Sequence, residues 1–152
     1  MPLVDDGTIP ADAVLLRILV DPKWITKKDG PRRPGSVAFY EATGEVSYFV
    51  EVPGMLTELA RLFPGMEVAR VPAAVVRAVG FVIERRPGEC PDNFQCDPAC
   101  HVVAGPPVQM TRNEFQGKAR TIAKDPNVTI VQPQLAVAPA PAPEPPAPGG
   151  NI

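Results

Sequence analysis

Proline recurs along this chain at intervals too short for a long helix. It occupies 21 of 152 positions, against an average usage of about 5%. Seven of these crowd the last 20 residues, at Pro133, Pro139, Pro141, Pro143, Pro145, Pro146 and Pro148, leaving 14 in the body. An interior proline removes a helix hydrogen bond and clashes with the preceding turn, at a cost of about 3 kcal/mol. A coiled coil or helical bundle is therefore excluded, and short elements joined by turns are expected. The length suits one domain, able to bury a core without staples.

Val14–Val20 is a short apolar run, closed by Asp21-Pro22, that reads as a buried strand. Residues 21–36 form a polar loop, and Val37–Tyr40 reads as a strand. Glu41–Glu45 then suits a hairpin into an alternating strand with Val46, Tyr48, Val50 and Val52 on one face. After Pro53-Gly54, the residues Met55, Leu56, Leu59, Leu62 and Phe63 make one helical stripe. Met66–Val71 reads as a strand, Ala73–Val79 as a short helix with Pro72 in its first turn, and Phe81–Arg85 as a strand. His101–Ala104 and Val128–Val131 are the last strand candidates. Between them Thr111-Arg112-Asn113-Glu114 has the capping-box form, and it predicts a helix with Phe115, Ala119, Ile122 and Ala123 on one side. The order predicts an α+β fold, a single small domain over 13–132. It has a mixed sheet of about five to seven short strands and two or three short helices. Residues 1–12 are expected to be a flexible lead-in and 133–152 a disordered Pro/Ala-rich tail that cannot bury enough surface to order itself.

The net charge is −2, from 15 basic and 17 acidic residues. No global positive field exists to attract nucleic acid, and no apolar run reaches the length of a membrane span. Without a basic, then apolar, leader the expected location is cytoplasmic.

Cys90, Cys96, Cys100 and His101 hold all the thiols and the one imidazole of the chain. These are the ligand types zinc prefers in a tetrahedral site. Against zinc stand the missing C-x2-C knuckle and the adjacency of Cys100 and His101, whose side chains diverge in a strand. The expectation is a reduced, metal-free loop, with structural zinc as one alternative. Lys23, Lys27, Lys28, Arg32 and Arg33 cluster beside Trp24. Trp24, Arg32 and Arg33 are candidate interaction residues, although a short basic run in an acidic chain reads first as a solvated loop.

No nucleophile elbow and no glycine-rich phosphate loop occurs. Arg17, Ser36 and Glu84 follow the order of an NAD-using transferase, with an Arg on an early strand, a Ser in the middle and a Glu late. In the tail, Pro143-x-x-Pro146 and Pro145-x-x-Pro148 favour polyproline II, but no basic residue accompanies them.

Arg33-Pro34-Gly35-Ser36-Val37-Ala38-Phe39, with Trp24 before it and His101-Val102-Val103-Ala104-Gly105 after it, resembles a pattern in a group of small uncharacterised bacterial proteins. There an R-P-S-S-x-A-F segment precedes a strand and H-x-x-V-x-G follows a proline-rich loop. Gly35 stands where that pattern has its first serine, and the cysteines are an addition. The resemblance implies a compact domain over about 14–132 and no catalytic residues. These readings together predict a non-enzymatic protein-interaction module with a protein partner. The alternatives are a small transferase using Arg17, Ser36 and Glu84, or a structural zinc protein using Cys90, Cys96, Cys100 and His101.

Overall fold

Val14–Leu19 (β1) is apolar except at Arg17, and five of its six residues are buried. Such a strand needs partners on both edges and cover on both faces. It finds them at the centre of a six-stranded sheet, in a computed structural model that describes residues 2–26 and 32–134. Lys27, Lys28 and the tail from residue 135 lie outside the described residues.

In chain order β1 is followed by the two-residue strands β2 (Ile25–Thr26) and β3 (Arg33–Pro34), which pair with each other. Then come β4 (Val46–Val50), α1 (Met55–Leu62), β5 (Glu67–Pro72) and α2 (Ala73–Ala78). The series ends with β6 (Val82–Arg85), β7 (His101–Gly105), α3 (Arg112–Lys124) and β8 (Thr129–Val131). The large sheet runs β6-β7-β4-β1-β5-β8 with every pairing antiparallel. The fold is α+β as expected, and no helix among the described residues is long and apolar enough to cross a membrane.

Strand alternation divides the core between two layers. On one face Leu15, Leu19, Val46, Tyr48, Val71, Ile83 and Val102 meet α2 and the buried stripe Phe115, Ala119, Ile122 and Ala123 of α3. On the other, Leu16, Ile18, Phe49 and Val68 meet Met55 and Leu59 of α1 together with Cys100. The Thr111 hydroxyl accepts from the Glu114 N–H at 3.2 Å, so α3 starts on its expected cap. Glycine is required where β7 passes the turn before β4: a Cβ on Gly105 would collide with the carbonyl of Gly44, itself at φ +87°.

Two expectations fail. Residues 36–39 do not make a strand, and the hairpin into β4 does not form; Ser36–Phe39 is a 3-10 turn, and β4 pairs with β1 and β7. The burial explains it. Ala38 and Phe39 are adjacent and both fully buried, whereas Val37 is exposed, an order that strand alternation cannot give. The leading segment is not flexible either. Leu3 and Ile9 are buried, and the Asp6 N–H donates to the Ile83 carbonyl at 2.7 Å. The Asp5 carboxylate accepts from the Ile83 N–H at 3.0 Å, as a backbone carbonyl would. β6 is an edge strand with unpaired polar groups on its outer side, and residues 2–9 cover them.

Candidate functional site

Arg17 is the one charged residue of the central strand. Its Nε donates to the Ala38 carbonyl at 2.8 Å, Nη1 to the Ser47 carbonyl at 3.2 Å, and Nη2 to Glu41 Oε1 at 2.8 Å. The guanidinium also lies 5.0 Å from the Trp24 ring centre. A guanidinium so saturated ties the 3-10 turn to the sheet. Beside it Tyr48 is completely buried, and desolvation raises its phenol well above the ordinary range, outweighing the opposing pull of Arg17.

The structure does not bring Arg17, Ser36 and Glu84 together. Arg17 shares its face with Leu15 and Leu19; Glu84 is one residue past Ile83, which faces the same layer as they do, so its side chain projects from the opposite face. Glu84 accepts there from the Val4 N–H at 3.1 Å and from Arg86, and these bonds hold its carboxyl below the usual range. Ser36 opens the 3-10 turn on the side of α3.

The cysteine loop closes against the α1 face. Glu58 on α1 is buried, forms an ion pair with Arg61 (2.7 Å) and accepts from the Gln95 N–H. The Arg61 bonds come first among the causes that keep the Glu58 carboxyl below its usual range. Arg61 also donates to the Asn93 carbonyl at 2.6 Å, so the pair clasps the loop to the helix. All three thiols are free, and desolvation pushes each of them up. Cys90 Sγ donates to the Pro98 carbonyl at 3.4 Å, while Cys100 is buried and Cys96 packs against the same cluster. His101 begins β7 with its ring edge-on to Phe49, and its Nδ1 lies 2.9 Å from the Arg86 carbonyl. Among the described residues no three His, Cys, Asp or Glu side chains gather to hold a metal ion.

A different set of residues meets along α3. Arg112, Arg120 and Lys124 are exposed and separated by multiples of four, so with Gln116 they form a row that winds about a third of a turn round the helix. At its C-terminal end a groove of about 410 Å³ lies between α3 and the β3 segment. Pro34, Gly35 and Ala123 give it apolar walls, and Arg33, Arg120 and Lys124 supply its cations. Arg33 Nη2 donates to the Ala123 and Asp125 carbonyls at 3.0 and 2.7 Å, satisfying acceptors that the helix end leaves open. At the other end a cleft of about 830 Å³ separates residues 40–45 from residues 106–112. Arg112 lines it, 6.0 Å from the Tyr40 ring centre, and Tyr40 meets Phe115 edge-on at 5.1 Å.

The ion pairs divide the cations of the chain. Arg17, Arg32, Arg61, Arg70, Arg77, Arg85 and Arg86 each hold a carboxylate. Among the described residues Lys23, Arg33, Arg112, Lys118, Arg120 and Lys124 hold none. Of the interaction candidates read from sequence, Arg33 lies in the groove, Trp24 is half-buried under Arg17, and Arg32 pairs with Glu67. The helical partners of Arg33 were missed. Their signal was the four-residue spacing behind a capping box, and nothing in the sequence places that face of the helix beside Arg33. Compared with protein-family models, curated proteins and solved structures, the chain matches none.

Proposed function

We propose that the protein is a non-enzymatic interaction module that binds a protein partner along the exposed flank of α3. The observation that supports this reading is the segregation of charge. A chain of net charge −2 pairs seven of its arginines internally, and of the described cations left without a carboxylate (Lys23, Arg33, Arg112, Lys118, Arg120 and Lys124) three, Arg33, Arg120 and Lys124, line one groove. Exposed ion pairs add little to stability, but cations gathered beside an apolar groove suit a surface completed by another molecule. The separation of Arg17 from Glu84 across the sheet weighs against a transferase site built on those residues.

The test is retention of partner proteins by the immobilised full-length chain. Arg120→Glu with Lys124→Glu removes retention if the α3 flank is the binding surface. Lys118→Glu is the control: the same kind of charge change on the same helix, but at a side chain that reaches towards Gly80 beyond α2. Equal retention by the double variant, or equal loss in the control, overturns the reading.

A further inference from the structure

Resting on that reading, we infer that the partner presents an extended acidic segment carrying apolar side chains, seated in the groove between Arg33, Arg120 and Lys124 and running along α3 towards Arg112. Charge complementarity is the first argument. From Arg112 to Lys124 is 12 residues, about 18 Å of helix at 1.5 Å per residue. The row also winds about a third of a turn, so an extended strand of about five or six residues at 3.3 Å each engages Arg33, Arg120 and Lys124 in the groove and leads on towards Arg112. The groove supplies the second argument. Pro34 and Ala123 at its floor are already buried, and an acidic chain without apolar side chains would leave Gly35 and the aliphatic stems of Arg120 and Lys124 uncovered.

The negative end of a helix dipole normally repels an anion. Here Arg33 already donates to the Ala123 and Asp125 carbonyls, so a cation stands between that end and the groove. The same geometry disfavours a single-stranded nucleic acid. Such ligands gain affinity by stacking bases on open aromatic faces. The Trp24 ring is half-buried and faces the Arg17 guanidinium, and the chain's net charge is negative.

The probe is a fluorescein-labelled peptide of alternating Glu and Leu, six residues long, titrated with the full-length protein and followed by anisotropy. Comparison probes are the alternating Gln-Leu and Lys-Leu peptides and an oligothymidylate of similar length. The Glu-Leu peptide is expected to bind at least about tenfold more tightly than the Gln-Leu peptide, and to weaken severalfold as salt rises from about 50 to 200 mM. Arg120→Glu with Lys124→Glu should remove that preference, and the milder Arg120→Gln with Lys124→Gln should reduce it. Lys118→Glu should leave it intact, with thermal unfolding recorded for every variant. Equal affinity for the Glu-Leu and Gln-Leu peptides, an undiminished preference in the folded double variant, or tighter binding of oligothymidylate overturns the inference. If the peptides fail while partner retention still depends on Arg120 and Lys124, the partner class is wrong and the interaction surface stands. If retention is indifferent to those residues as well, both fall.

Discussion

The paired arginines and the α3 cations differ in what completes them. Arg77 reaches Asp5, Arg85 reaches Asp6 and Arg86 reaches Glu45, so each ties segments at least 41 positions apart. Along α3, Arg112, Arg120 and Lys124 project outward without a carboxylate, and Arg33 bonds only to backbone. The net charge averages these two populations and hides both. An acidic chain can still gather cations in one groove when seven of its eight described glutamates hold arginines elsewhere in the fold.

Substitutions should separate the two populations. The largest effect is expected at Arg17→Ala, which leaves the Ala38 carbonyl and Glu41 without their donor and opens space beside Trp24. A loss of about 3 kcal/mol is expected in equilibrium denaturation. Arg17→Lys should recover only part of it, because an ammonium cannot reproduce the fork; full recovery would mean that charge alone matters there.

Glu58→Gln comes next, at about 2 kcal/mol near neutral pH, since a buried charged acceptor serves both Arg61 and the cysteine loop. The sign of its pH dependence follows from a folded value below the ordinary 4.5. Its stabilisation is present in full above about 4.5 and is lost as the pH falls through the lower folded value. Denaturation midpoints of wild type and variant should therefore converge in acid, and parallel curves would remove Glu58 as a clasp.

Thr111→Ala should cost about 1 kcal/mol through the lost cap of α3, and a Thr111→Ser variant should keep most of it. The smallest effect belongs to the unpaired cations: Arg120→Ala should change stability by less than about 0.5 kcal/mol. A substantial loss at Arg120 would erase the distinction between the populations and make α3's cations structural.

What could be read from the sequence was whatever repeats along a single element. The stripe of Met55 and Leu59, the cap at Thr111 and the dense apolar run of β1 are local patterns, and each took its expected form. Val37–Tyr40 has strand-like residues as well, but Arg17 captures the Ala38 carbonyl from 21 positions away and α3 buries Phe39. Residues 1–12 read as a flexible lead-in because Arg77, Ile83 and Arg85, the partners of Asp5 and Asp6, lie more than seventy residues further on. The groove was half legible for the same reason. Arg33 stood out in a basic loop, while Arg120 and Lys124 became its neighbours only when α3 docked.

The cover over β6 also imposes an order of assembly. Val4 and Glu84 are 80 positions apart, and Asp6 bonds to Ile83. During synthesis Leu3 and Ile9 therefore leave the ribosome well before the strand that will shelter them. Closing so long a loop is slow compared with forming the local helices. Until residue 85 has emerged, two apolar side chains and a run of aspartates wait in solvent. The nascent chain thus passes through a period in which its leading segment is open to chaperones or to other strands. The aspartates suit that interval: their charge opposes aggregation before they find Arg77 and Arg85.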